Sequence, residues 1–380
     1  MNIFDVAKAL SGISQKLIPK DVPSHGLLSL IIKESRTFLA VYTDKFSCLV
    51  PIDIKHNAPA DLECMVDGRL LSKFINKSKS TDVVVEFLFN VEGVPSSIKI
   101  SSGSNTNVSI PLSQPVSSIK NKKLCKECVE INTASFASVI KSTVFAGSDI
   151  DAERPYYYAL IGFEDKHMSC ICGNGSFFAY TKCEAMQNAV NQASCILPIN
   201  VANSLMPVLD LCEDENIKFS FDDHSIVIQS SCMKFYIAVD RKAINWPDAS
   251  SILNRNTGSE YTVKTSHLKE ICSNIDLACE SYDNKNETLK CKVTTFKNSI
   301  NLLVDGSCKV ESSLDVSSEE EDSKTLTIDA VCIPMSMKSK MLGEDIIINI
   351  DSSNFKGKSS PLLLSSSVNN CVYKTFFAVS

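Results

Sequence analysis

Ile171-Cys172-Gly173-Asn174-Gly175 is the stretch on which the fold turns. An apolar run stops at Gly-Asn-Gly, which reads as a strand ending in a tight reversal. Asp44 lies 130 positions before Asn174, at the end of Ala40-Val41-Tyr42-Thr43-Asp44. Asp305 lies 131 positions after it, in Leu303-Val304-Asp305-Gly306. One strand-to-turn element therefore occurs three times at a period of about 130 residues, and such self-similarity is the first thing an architecture must satisfy.

Working outward, each copy is preceded by an amphipathic helix: Phe4–Leu17, Ala134–Phe145 and Ser266–Ala278. In the second, Phe136, Val139, Ile140 and Val144 fall at the spacing of three and four that buries one helical face. Each copy is followed by a further helix: Gly68–Asn76, Asn200–Leu211 and Pro334–Leu342. Most of the rest alternates. Ile217–Phe221 and Ser225–Gln229 read as strands meeting at Asp222-Asp223-His224, and Ile346–Ile350 reads as another strand. The expected class is α+β: three repeated domains, each of two helices packed on antiparallel sheets. Polar linkers at Ser117–Lys126 and Leu253–Ser259 set the boundaries at 1–122, 123–253 and 254–380. Glu319-Glu320-Glu321-Asp322 reads as a solvated hairpin tip.

The 380 residues are 44% hydrophobic and 22% charged, enough apolar material for two or three cores. No run approaches the eighteen uncharged apolar residues of a membrane span. Met1–Leu17 lacks the apolar segment and cleavage site of a secretory signal. We expect a soluble, intracellular protein. The sixteen cysteines are scattered through apolar segments of a long chain, which fits buried thiols in a reducing compartment better than a disulfide scaffold. The close pairs Cys125–Cys128 and Cys170–Cys172 have no histidine at ligand spacing, so no metal is expected. No cofactor is expected either. Catalytic motifs are missing too. Gly173-Asn174-Gly175-Ser176 is not a nucleophile elbow, and there is neither a phosphate-cradling Gly-rich loop nor His-Glu-x-x-His. No enzymatic activity is expected. The net charge of −6 argues against nucleic acid only on average, because binding depends on where the cations sit.

The middle copy carries a resemblance. Phe145-Ala146-Gly147-Ser148-Asp149, Glu153-Arg154-Pro155, Ala159–Phe163, Gly173-Asn174-Gly175 and Ile196-Leu197-Pro198 occur in this order. Val239-Asp240 and Trp246-Pro247-Asp248 follow. Together these resemble the sliding clamp of bacterial DNA polymerase III, its beta subunit. The outer copies are similar to that family only in length and repeat pattern. The resemblance implies a DNA sliding clamp, a processivity factor without catalysis: two chains join head to tail, each forming half of a closed ring, with helices lining the hole and sheets outside. Its partners would be double-stranded DNA without sequence specificity, and a polymerase and clamp loader bound through short peptides. The compartment would be the bacterial cytoplasm or nucleoid, or an infected cell if the protein is viral; the sequence leaves host and viral origin open.

The resemblance further implies basic repeated helices inside an acidic body. Lys8, Lys16, Arg69, Lys73, Lys77, Lys141, Lys269 and Lys338 are the cations concerned, with Asp5, Asp210, Glu270 and Asp276 as the acids in the same windows. We read the bias as holding in the first and third copies and failing after Pro198, where Ile199 and Asn200 replace the family's usual basic residues. Arg154 and Tyr156 fall on a loop that reaches toward DNA in the family, although a structural turn explains them as well. Val22-Pro23 stands where the family commonly has Arg-Pro. For each lysine, an ordinary solvated surface position is an equal alternative.

A partner-peptide groove would be walled by Tyr157, Gly173, Gly175, Ser176, Phe177 and Phe178, by Pro247, Ser251 and Ile252, and by Phe376, Phe377 and Ala378. Core packing is the competing explanation for each aromatic. Ser176-Phe177-Phe178 departs from the family's His-Arg-Leu, and the Phe376–Val379 ending departs from its Met-Pro-Met-Arg, so a different peptide would be preferred. Val108, Ile110 and Leu277 are the residues implied at the dimer interface. A second function class on the same fold stays open: a protein-interaction hub in replication, repair or transcription with weakened DNA encirclement.

Overall fold

The structure is a computed structural model that describes residues 3–34, 36–43, 45–59, 61–75, 83–102, 106–115, 127–147, 157–175, 177–240, 259–282, 289–306, 308–319, 323–339, 342–350, 362–368 and 371–377. Lys77, Arg154, Tyr156, Ser176, Pro247, Ser251, Ile252 and Ala378 lie outside the described residues, as do most of both linkers and of the acidic run. Among the described residues no helix is long and apolar enough to cross a membrane.

Strands dominate, joined by α1 (Ile3–Leu17), α2 (Gly68–Ile75), α3 (Thr133–Lys141), α4 (Ile199–Leu209), α5 (Thr265–Glu280) and α6 (Cys332–Ser336). The odd-numbered helices begin at residues 3, 133 and 265, and the even-numbered ones at 68, 199 and 332, so the repeat read from the turns is also a repeat of helices. Two expected helices end early. α3 stops at Lys141 because Thr143 turns its hydroxyl back onto the carbonyls of Val139 and Ile140 (2.9 and 3.2 Å), and Val144–Ala146 continues as a single 3-10 turn. α6 spans only Cys332–Ser336, so Lys338 follows it rather than riding on it. The Ser336 hydroxyl bonds the carbonyl of Ile333 (2.6 Å), and the Ser336 carbonyl accepts the Tyr373 hydroxyl (3.0 Å).

The chain divides into two compact units: 1–137 with 200–242, and 138–199 with 243–380. The middle sequence module contributes strands to both. In the first unit a twelve-stranded sheet is continuous because Phe46–Ile52 pairs antiparallel with Lys234–Ala238, Phe46 opposite Ile237 and Leu49 opposite Lys234. α1 packs on α2 and on this sheet through Ile3, Val6, Ala7, Leu10 and Ile13, all buried. The buried Ser14 hydroxyl accepts the Gly26 amide (2.9 Å), fixing the loop that carries Val22. In the second unit an eight-stranded sheet is continuous because Phe177–Glu184 pairs antiparallel with Cys371–Phe377, Phe177 opposite Phe377. A four-stranded sheet, Lys309–Asp315, Ser299–Asp305, Lys290–Phe296 and Lys324–Asp329 in spatial order, completes this unit.

Two of the three repeated turns share one bond: the Thr43 amide donates to the Phe46 carbonyl (2.7 Å), and the Asn174 amide to the Phe177 carbonyl (3.0 Å). In the middle copy the Asn174 side chain also accepts the Phe177 amide (3.0 Å), and Gly175 takes φ +96°, a left-handed conformation that suits glycine. Gly147 is needed for space, not for its dihedral. A Cβ there would sit 2.0 Å from Ile199 Cδ1 and 2.6 Å from Cys172 Sγ, both buried. The Gly147→Ala variant should therefore lose about 1–3 kcal/mol from overpacking, outweighing the roughly 0.4–1 kcal/mol that glycine replacement gains from the unfolded chain. A fall in the urea midpoint of the second unit's transition is the expected result.

Candidate nucleic-acid interface and partner groove

Asp67 starts the best-defined basic element. Its Oδ1 accepts the amides of Arg69 and Leu70 (2.8 and 3.0 Å), capping α2 so that Arg69 and Lys73 emerge on an exposed face. On α1, Lys8 and Lys16 are exposed and flank an open groove of about 370 Å³ against α4, whose lining also includes Asp5, Gly12, Ser204, Pro207 and Asp210. Lys16, Lys73 and Lys141 each occupy the last turn of a helix. There a cation also complements the helix dipole, so each has a local structural reason as well.

Exposed cations outnumber exposed acids on α1 and α2 but not on the helices of the third copy, contrary to the expectation for that copy. Lys269 is exposed on α5, but Glu270, Asp276 and Glu280 are exposed on the same helix. α4 contributes no charged side chain over Ile199–Leu209, and Ile199 is buried at its start. Lys141 is half-buried, and Lys338 is exposed in the turn after α6, its amide bonded to the Met335 carbonyl (3.0 Å).

The groove residues separate into core and surface. Phe177, Phe376 and Phe377 are buried, at 0%, 2% and 1% exposure. The Phe177 ring lies 5.3 Å from that of Phe377 and 6.2 Å from that of Phe145. Expected as groove walls, Phe177 and Phe377 are instead core residues: opposite each other on paired strands, their rings meet on the inner face, where burial is most favourable. Phe178 and Tyr157 are half-exposed and belong to the surface. The Phe178 ring folds over Gly173, whose missing side chain makes the room: a Cβ there would meet Phe178 Cδ1 at 2.2 Å.

At the implied dimer interface, Ile110 points into its own unit's core (1% exposed) while Val108 is half-buried. Their strand, Thr106–Ser113, pairs with Pro95–Ser102 over Thr106–Pro111, and Leu62–Asp67 reaches only Leu112 and Ser113. Among the described residues, the other side of its first six positions has no partner strand. Leu277 on α5 is 64% exposed, unusual for a leucine on a helix that buries Leu268, Ile271 and Ile275.

None of the fifteen described cysteines is in a disulfide, and burial pushes Cys64, Cys170, Cys183 and Cys291 up to about 12, as inert core thiols. The sequence gives no hint of one grouping. Cys212 and Asp214, just after α4, meet Cys232 in the turn between Ser225–Gln229 and Lys234–Ala238. Spacing along the chain carries no signal, because a whole hairpin separates the two halves.

Searched by sequence, the chain matches no family model and no curated protein. Among solved structures it aligns over its full length with the DNA polymerase III beta subunit from Thermotoga maritima: 15% identity, TM-score 0.80, covering 98% of that chain. A DnaN sliding clamp from Pseudomonas aeruginosa bound to griselimycin aligns with 100% of this chain and 97% of its own, at 12% identity and TM-score 0.80. The Helicobacter pylori beta clamp bound to a DNA ligase peptide aligns with 99% of this chain and 97% of its own, at 17% identity and TM-score 0.73. The chain has the sliding-clamp fold. These three solved structures that share it are beta subunits, or beta clamps, of bacterial DNA polymerase III.

The separation of core from surface aromatics has a measurable consequence. Phe177→Ala should destabilise the second unit by about 3–5 kcal/mol, as buried Phe truncations do. Phe178→Ala should leave the denaturation midpoint nearly unchanged and alter affinity for any peptide bound in the groove. Equal destabilisation by the two variants would overturn the assignment.

Proposed function

We propose that this chain is a DNA sliding clamp, a non-catalytic processivity factor built from modules 1–122, 123–253 and 254–380, two copies of which close around duplex DNA. The observation that carries the reading is the set of exposed cations on helices that recur with the repeat, Lys8, Lys16, Arg69 and Lys73 foremost, in a full-length clamp fold. Hydrogen bonds to phosphate carry no sequence information, so such a face allows sliding. Retention would come from encirclement rather than tight binding. The Thr106–Ser113 edge supports a homodimer, since an unpaired strand edge is a template for another strand. The solved clamps with a ligase peptide or griselimycin bound support peptide-borne partners, polymerase and clamp loader among them. Here Tyr157 and Phe178 would be the anchoring surface.

A second reading, an interaction hub on the same fold, is favoured by the uncharged α4 and the acidic excess on α5. One experiment divides them. After loading onto nicked circular DNA, a clamp is lost when the circle is linearised, and it runs at twice the chain mass in solution. A hub runs as a monomer, or shows no retention that depends on a closed circle. Lys8→Ala with Lys16→Ala should lower the slope of log affinity against log salt by roughly 0.9 for each phosphate no longer neutralised, with a loss of stability no larger than the roughly 0.3–1 kcal/mol of the Lys16 interaction with its helix dipole. An unchanged slope would remove these lysines from the DNA face.

A further inference from the structure

We propose that Cys212, Asp214 and Cys232 form a binding site for a soft divalent cation of the zinc type. The three donor atoms lie within 4.8 Å of one another. Cys212 Sγ stands 3.0 Å from Cys232 Sγ, inside ordinary van der Waals contact for two sulfurs, and Cys232 Sγ stands 3.3 Å from Asp214 Oδ2. Ser230 Oγ is 3.4 Å from each sulfur, at a fourth corner that it or a water could fill.

The donors are held by backbone. The Cys212 amide donates to the Leu209 carbonyl (3.0 Å), fixing it at the end of α4. Cys232 sits in a turn closed by the Ser230 amide on the Met233 carbonyl (2.9 Å), and its own amide bonds Ser230 Oγ (3.1 Å). The Asp214 carboxylate is clamped from one side by Ser231, whose amide donates to Oδ2 and whose hydroxyl donates to Oδ1, both at 2.6 Å. Supporting bonds of this kind orient ligands in known metal sites.

The geometry suits zinc. With Zn–S near 2.3 Å and tetrahedral angles, two thiolates stand roughly 3.8 Å apart, reachable from 3.0 Å by small side-chain rotations. Two sulfurs in the donor set select zinc or cadmium over magnesium or calcium, which prefer oxygen. The carboxylate separates this reading from a disulfide. Its oxygen, 3.3 Å from Cys232 Sγ, is a third donor that a dication uses and a disulfide does not. A bound ion would tie the end of α4 to the hairpin that joins the twelve-stranded sheet.

The test uses the full chain, stripped with a chelator and kept reduced with a phosphine. Dialysis against zinc should leave one ion per chain, and cobalt should give the intense thiolate charge-transfer absorption of a tetrahedral sulfur site. Zinc should also raise the melting temperature. Cys212→Ser and Cys232→Ser should each abolish all three effects and Asp214→Asn should weaken them, while Cys128→Ser, at an exposed thiol elsewhere, should change none. If a cysteine variant fails to fold, Asp214→Asn and the zinc-dependent melting shift decide. Wild-type zinc content equal to that of the cysteine variants overturns the proposal. So does a Cys212–Cys232 disulfide that forms in air with zinc present.

Discussion

Backbone hydrogen bonding at strand edges is the constraint on which the rest of this structure depends. A strand with one bare side exposes amides and carbonyls that must find partners or stay in water. Here Phe46–Ile52 of the first sequence module meets Lys234–Ala238 of the second, and Phe177–Glu184 of the second meets Cys371–Phe377 of the third. Segments far apart in the sequence are thus joined by shared sheets. This explains why the compact units cut through the middle module instead of following its ends.

That constraint also places the aromatic residues around Gly173. Gly173-Asn174-Gly175 immediately precedes the strand whose pairing with Cys371–Phe377 completes the eight-stranded sheet. The pairing fixes Phe177 against Phe377 on one face and Phe178 beside Phe376 on the other. A one-residue slip would exchange the two faces, because side chains alternate. The two hydrogen bonds between Asn174 and Phe177 lock the register at the turn, and the bare Gly173 lets the Phe178 ring fold over it. A half-exposed aromatic at Phe178 is thus a by-product of how the sheet is made continuous.

The repeat, the class and the hairpins are legible in the sequence because turn residues and apolar periodicity are local signals. Asp222-Asp223-His224 between two alternating runs marks its hairpin directly, and the structure has strands at Asn216–Phe221 and Ser225–Gln229. Helix ends are harder. The hydroxyl of Thr143 that ends α3 and the Ser336 bonds that follow α6 compete with helix only in their tertiary setting. The aromatic run at Phe177-Phe178 cannot be divided into core and surface without knowing which strand lies opposite. The Cys212–Asp214–Cys232 grouping is invisible for a related reason: its halves become neighbours only when the hairpin folds back on the end of α4.

Charge by itself would make a weak tether. Exposed charges are screened beyond about 8 Å at physiological salt, so a few exposed lysines would hold a polyanion only loosely. A protein that worked by affinity would need more cations than α1 and α2 provide. One that worked by enclosure would need little attraction, since a closed ring is retained by topology whatever its surface potential. The demanding interaction would then move from the helices to the strand edge at Thr106–Pro111, whose outer side has no partner strand among the described residues. Low identity to the solved clamps is consistent with this division. Edge pairing is made by the main chain and tolerates changes of side chain, whereas a binding face built on specific side chains would not.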